Sequence, residues 1–285
     1  MKEYVPCVIC NSDNSSSIYS RESINIVKCT KCGLMYQNPR VSQNLVNEET
    51  NRKDYYKIYE KIAQDQEKFF RNRFETVLKG IPTGKVLDVG CGTGGFLKVA
   101  KDLGWDVYGV EVSSLAAHAS IDKLGIGITE GTVEEANYPN EYFDLVNMSH
   151  VLEHMPNPLK TLKEIKRITK PPGYLLIEVP NEKNFKIRNF LLNLFLHSGT
   201  GEKFAPRNYH LYLFTKDTLA SLIDKSGFKL LLIEEEGFGV KGREDWILKS
   251  LNPFIRTLAF FVKRLQLDVH IRLGHYLIAL AKNNK

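Results

Sequence analysis

From Lys85 onward the chain alternates short, unbroken apolar runs with longer stretches whose apolar residues recur three and four apart. KVLDVG reads as a strand and GGFLKVAKDLG as a helix closed by Gly104; DVYGVEV is a strand, SSLAAHASIDKLG a helix and GITEG a short strand. FDLVNMS, the helix PLKTLKEIKRIT and the strand YLLIEVP continue the rhythm. Apolar strands separated by amphipathic helices predict a parallel sheet with helices on both faces. After Pro180 the rhythm breaks, and residues 181–210 are too long for a plain connection; they read as an insertion, part helix and part loop. TKDTLASLIDKSG is a helix with Thr215 as N-cap and Gly227 as its stop, FKLLLIEEE a strand and HYLIALAK the last strand. Between those two strands a second insertion, 239–272, holds WILKSLNPFIRTLAFFVKRLQL, an amphipathic stretch broken at Pro253. Residues 85–285 are therefore expected to form an α/β domain, a doubly wound Rossmann-like sheet of seven strands carrying helical insertions.

Upstream, residues 41–84 read as polar helix punctuated by Tyr and Phe, a linker or lid ending at Gly80-Ile81-Pro82. Residues 1–40 hold short β-like pieces and four of the five cysteines. Cys7 and Cys10 form one CxxC pair, Cys29 and Cys32 another, with eighteen residues between the pairs. Each pair can present two thiolates from one tight turn, and two such turns close a tetrahedron around Zn²⁺. Gly33 suits the second turn, and IVKC and LMYQ read as flanking strands, so 1–40 is expected to be an N-terminal zinc ribbon. The competing reading, two redox dithiols, fits less well, because those motifs precede a helix in a βαβ unit.

Length and charge narrow the function classes. A chain of 285 residues with 43% hydrophobic and 25% charged residues can build one good core plus a small satellite. No apolar run is long enough to span a bilayer, and MKEYVPCVIC lacks the basic-then-apolar form of a signal peptide, so a cytoplasmic protein is expected. The net charge of +6 resides in residues 241–285, with nine Lys/Arg against three Asp/Glu; the rest of the chain is balanced. A neutral main body argues against nucleic acid as a partner. In the second insertion Ile247, Leu251, Phe254, Leu258, Phe261 and Leu265 follow helical spacing, while Lys249, Arg256 and Lys263 recur on another face. Such a stretch fits peripheral contact with an anionic membrane; the plainer reading is packing on the sheet or against a second copy in a homodimer.

The sharpest motif is VLDVGCGTGGF, a strand running into a glycine-rich turn and a helix. Gly90, Gly92 and Gly94 let the backbone turn tightly and approach a ligand, and Asp88 precedes them by two. A dinucleotide site would read GxGxxG; this one reads GxGxG. Glu111, ending the next strand, is placed to accept two ribose hydroxyls. These residues and the later FDLV strand resemble class I S-adenosylmethionine-dependent methyltransferases over about residues 50–285. The resemblance implies S-adenosylmethionine as cofactor. That molecule has no pyrophosphate but carries an ammonium and a sulfonium, which a carboxylate such as Asp88 suits. In that family the segment after the third strand holds the adenine, which implies Thr132 and Val133 here; Val112 and Ser149, at strand ends, complete the candidate set. Cys91 is expected to pack beneath the turn.

After the fourth strand, NMSHVLEHMPNP supplies His150, Glu153 and His154, and the first insertion returns His210 in RNYHLYLFT. There is no (N/D)PP(Y/F) motif for exocyclic amines and no Pro-Cys pair for attack on a pyrimidine. Transfer to a hydroxyl needs its proton removed as the methyl group arrives, and a histidine does that near neutral pH. VLEH is similar to segments of quinone-pathway O-methyltransferases and small-RNA ribose methyltransferases, where E-x-x-E-H plus a later His binds a divalent metal. His150 stands where those have the first Glu, which favours metal-free base catalysis over a metal site at His150, Glu153, His154 and His210. The opening CxxC and CTKCGLMYQNPR resemble the start of bacterial sugar methyltransferases. That resemblance implies a small-molecule or lipid-linked sugar acceptor in polysaccharide or natural-product assembly. A quinone- or phenol-type O-methyltransferase, and an RNA methyltransferase or RNA-binding ribbon, are the alternatives.

Overall fold

The computed structural model describes residues 2–21, 24–41, 67–183, 210–236 and 276–284. Most of the predicted linker, nearly all of the first insertion and the whole of the second, with its basic amphipathic stretch, lie outside the described residues. The N-terminal module comprises β1 (Lys2–Glu3), β2 (Ser15–Arg21), β3 (Ile24–Cys29), β4 (Met35–Gln37) and β5 (Arg40–Val41). Helix α1 is described over 67–75. The main domain continues with β6 (Lys85–Val89), α2 (Gly95–Asp102), β7 (Asp106–Glu111), α3 (Ser114–Leu124), β8 (Ile128–Glu130) and β9 (Phe143–Ser149). It ends with α4 (Pro158–Ile168), β10 (Thr169–Pro180), β11 (Tyr212–Leu213), α5 (Lys216–Ser226), β12 (Lys229–Glu236) and β13 (Tyr276–Asn283).

All seven expected strands join one sheet, in the order β12-β13-β10-β9-β6-β7-β8. The sheet is not wholly parallel, as the alternation had implied: β13 runs antiparallel to both β10 and β12. Glu236 and Tyr276 are register partners, so β13 starts at the edge where β12 ends.

Alternation along the strands assigns the two faces. Val86, Leu145, Leu176 and Ile278 pack with Phe70, Phe96 and Trp105 under α1 and α2. Leu87, Val146, Leu175, Ile177 and Leu277 pack with Leu162, Ile165, Leu219 and Leu222 of α4 and α5. Most of these side chains are fully buried, each contributing about 1.5–3 kcal/mol. The helix ends follow their sequence signals. Asn157 accepts from the Lys160 N–H (3.0 Å) ahead of Pro158, and Thr215 forms a capping box with Thr218 before Gly227 ends α5 in a left-handed conformation.

The N-terminal module is joined to the domain through a shared sheet and a shared core. Its sheet has the order β11-β4-β3-β2, so the strand flanking β4 comes from the main domain. Cys7, Ile9, Cys29, Leu34 and Tyr36 belong to the same buried cluster as Leu152 and Phe214.

Candidate active site

The strand order reverses between β6 and β9, and their carboxyl ends open the crevice where doubly wound folds bind ligands. The glycine-rich turn lies at that point. Gly90 has φ +67°, and a Cβ there would stand 2.5 Å from Val151 Cγ2, so only glycine fits. The Gly92 N–H donates to Glu111 Oε2 and the Ser113 N–H to Oε1, both at 2.8 Å. These bonds lock the buried Glu111 carboxylate in place and leave each oxygen a lone pair for a ligand hydroxyl. Burial pushes its pKa up, against those backbone hydrogen bonds.

The alternation that places Val86, Leu145 and Leu176 on one face puts Asp88, Asn147, Ser149 and Glu178 on the same face, in a polar row at the carboxyl edge. Asn147 Nδ2 donates to Asp88 Oδ1 (2.7 Å), and the Ser149 hydroxyl donates to Glu178 Oε2 (2.7 Å). Burial lifts the Asp88 carboxyl to about 7, with the charges of Glu111 and Glu178 adding to the rise and the Asn147 bond opposing it. Arg73 of α1, itself 1% exposed, donates to Glu178 and reaches Glu236 with both terminal nitrogens. The row is thus acid-rich, with one buried guanidinium behind it.

The remaining candidate cofactor residues are more dispersed. Val112 is 40% exposed beside Glu111, an apolar surface at the crevice. Thr132 is half-buried and closes a turn: its N–H and hydroxyl both bond Glu135 Oε2 (2.8 and 2.9 Å). Val133 is buried in the core. Cys91 is also buried, its pKa raised first by burial and then by Asp88 and Glu111, so it packs beneath the turn.

Glu153 is 1% exposed, and among the described residues neither carboxylate oxygen has a hydrogen-bond partner. Imidazoles surround it. His150 Nδ1 lies 3.7 Å and His154 Nε2 3.8 Å from Glu153 Oε1, and the His154 and His210 ring centroids are 4.8 Å apart. One ligating atom from each of Glu153, His154 and His210 lies within 4.8 Å of the others. Burial alone would raise the Glu153 carboxyl, but His150, His154 and His210 together hold it at about 2. A buried carboxylate of this kind demands a cation, which an imidazolium or a divalent metal supplies. His150 has φ +57°, donates its N–H to the Glu178 carbonyl (2.8 Å) and packs edge-on against Tyr276.

In the N-terminal module the four cysteine sulfurs converge, Cys7 to Cys32 at 3.4 Å and Cys10 to Cys29 at 3.5 Å, all within 4.8 Å. Zn–S bonds of about 2.3 Å place tetrahedral sulfurs about 3.8 Å apart, inside that range. The two turns are built alike. Asn11 N–H donates to the Cys7 carbonyl as Gly33 N–H does to Cys29, and Asn11 and Gly33 both have positive φ. Cys7 N–H reaches Ser12 and Cys29 N–H reaches Leu34, five residues on in each case. The donor set fits a structural zinc ion.

Arg73, Asn147 and Glu178 were not among the residues expected from sequence. Asn147 and Glu178 were legible in principle as polar residues inside apolar strands; Arg73, on a surface-like helix, carried no signal.

The chain is similar to known methyltransferases. A family model described as a methyltransferase domain matches residues 59–233. A ubiquinone biosynthesis O-methyltransferase of Haemophilus ducreyi is 32% identical over 120 residues, 39% of this chain and 51% of the relative. An uncharacterized protein of Methanocaldococcus jannaschii is 30% identical over 131 residues, 46% of this chain and 62% of the relative. The chain thus spans about half the length of these relatives. A crystal structure of a SAM-dependent methyltransferase from Thermotoga maritima superposes with a TM-score of 0.54 at 20% identity, covering 85% of this chain and all of that one.

Proposed function

We propose that this chain, which belongs to the methyltransferase-domain family, transfers the methyl group of S-adenosylmethionine to a hydroxyl oxygen, with His154 as general base. The observation that carries the reading is the buried Glu153 carboxylate beside the His154 and His210 rings. The Glu153 carboxylate beside the ring offsets the positive charge that His154 takes on as the acceptor gives up its proton. Glu111, held by two backbone N–H groups, would take the ribose hydroxyls of the cofactor, and the acid-rich row around Asp88 suits its cationic end. The oxygen–methyl bond forms as the sulfonium–methyl bond breaks; the hydroxyl proton passes to His154 and S-adenosylhomocysteine leaves.

Two acceptor classes have support. The CTKCGLMYQNPR start favours a sugar hydroxyl, free or lipid-linked, and the ubiquinone-pathway relatives favour a phenolic one. Incubation with S-adenosylmethionine and a panel of nucleoside diphosphate sugars, catechol and 3,4-dihydroxybenzoate, read by mass spectrometry, separates them. A 14-dalton gain confined to the sugars supports the first and a gain on the phenols the second; methylation of neither, by folded cofactor-binding protein, contradicts both. A divalent ion would be held by Glu153, His154 and His210, where it would polarise the acceptor oxygen. Chelator-sensitive turnover restored by Mg²⁺ favours that arrangement. Zn²⁺ held by Cys7, Cys10, Cys29 and Cys32 is assigned a structural role.

A further inference from the structure

The QNPR tract that follows the second cysteine pair has no part in the metal cluster, yet it makes the contacts that bring the histidines together. Gln37, 2% exposed, donates its side-chain amide to the His210 carbonyl (3.0 Å) and its N–H to the Leu211 carbonyl (2.9 Å). Leu211 in turn donates its N–H to the Glu153 carbonyl (2.8 Å). His210 is therefore fixed from one side by the N-terminal module, while the next residue is fixed to the turn bearing Glu153 and His154. Two residues later β11 pairs with β4, Tyr212 opposite Tyr36 and Leu213 opposite Met35, which extends the same ladder.

Arg40 fastens the other end of that turn. Its guanidinium donates to the Pro156 carbonyl (2.6 Å) and to the Tyr212 hydroxyl (3.2 Å), and Tyr212 itself donates to Pro156 (3.1 Å). Within four residues of chain, Gln37 and Arg40 thus reach the strand that follows His210 and the turn that delivers His154. The paired cysteine turns hold β3 and β4 at the base of this arrangement. Among the described residues the regular structure of both partner segments is short: β11 has two residues and the 3₁₀ turn, Leu152–His154, three.

We propose that Gln37 and Arg40 are positioning residues for the histidine pair, so that the cysteine module forms one wall of the active site. The inference rests on the reading of His154 and His210 given above, and its test has a readout independent of that reading. Gln37→Met preserves the buried volume and removes the side-chain donor to His210. Histidine ring signals in ¹H–¹⁵N spectra, assigned through single His variants, report on position without turnover. The expected result is displaced His210 and His154 signals, an unchanged signal for the remote His118, S-adenosylmethionine affinity within twofold, and single-turnover methyl transfer to the best acceptor of the panel slowed tenfold or more. Arg40→Met is expected to move His154 in the same way, and it decides the matter should Gln37→Met not fold. Unmoved histidine signals with wild-type turnover in either folded variant would overturn the proposal. Moved signals with unchanged turnover would support the positioning and overturn the catalytic role of the histidines.

Discussion

In the free protein Asp88 titrates near 7 because it is buried beside Glu111 and Glu178. In the proposed placement S-adenosylmethionine brings its ammonium and sulfonium cations beside Asp88, and cations favour the carboxylate, so the bound-state pKa is expected to fall. Binding therefore releases a proton below pH 7, and affinity rises with pH up to about 7 and then levels. The magnitude follows from the titration. At pH 6 the carboxyl is about nine-tenths protonated, and ionising it costs about 1.4 kcal/mol, a tenfold weaker apparent affinity than at pH 8. At pH 5.5 the loss is about thirtyfold. Calorimetry between pH 5.5 and 8, in buffers of different ionisation enthalpy, measures both the affinity and the protons released. Asp88→Asn keeps an acceptor for Asn147 and is expected to bind more weakly at pH 8 but without this slope. A flat wild-type profile, or an unchanged slope in Asp88→Asn, would refute the reasoning.

Protein purified without chelator is expected to contain one zinc per chain by elemental analysis, and Cys29→Ser to lose it. Because Cys7 and Cys29 share a core with Leu152 and Phe214, that variant should also lower the thermal midpoint of the main domain. Arg73→Ala leaves the buried Glu178 carboxylate without its counter-ion and is expected to cost about 3–5 kcal/mol in urea unfolding, while the Arg73→Met/Glu178→Leu pair recovers most of it. Gly90→Ala places a methyl group against Val151 at a positive φ, with an expected cost of about 1–3 kcal/mol and weakened cofactor binding by calorimetry.

Much of this was legible in the sequence because the relevant physics is local. Strand–helix alternation, the Thr215 and Gly227 boundaries, the glycine-rich turn and the paired cysteines each depend on residues close together in the chain. What depended on the return path of the chain was not legible. The antiparallel entry of β13 follows from where β12 ends, and no residue in HYLIALAK encodes its direction. Likewise Arg73 meets Glu178 across 105 positions and Gln37 meets His210 across 173. Each is an unremarkable polar residue until the sheet puts it in place.

The central claim, that His154 accepts the proton from a hydroxyl as the methyl group is transferred, is tested most directly by His154→Gln. Single-turnover methyl transfer to the best acceptor of the panel would be measured beside calorimetric affinity for S-adenosylmethionine. The account expects transfer slowed about 100-fold or more with cofactor affinity within twofold of wild type. Wild-type transfer rates in the folded variant would contradict it.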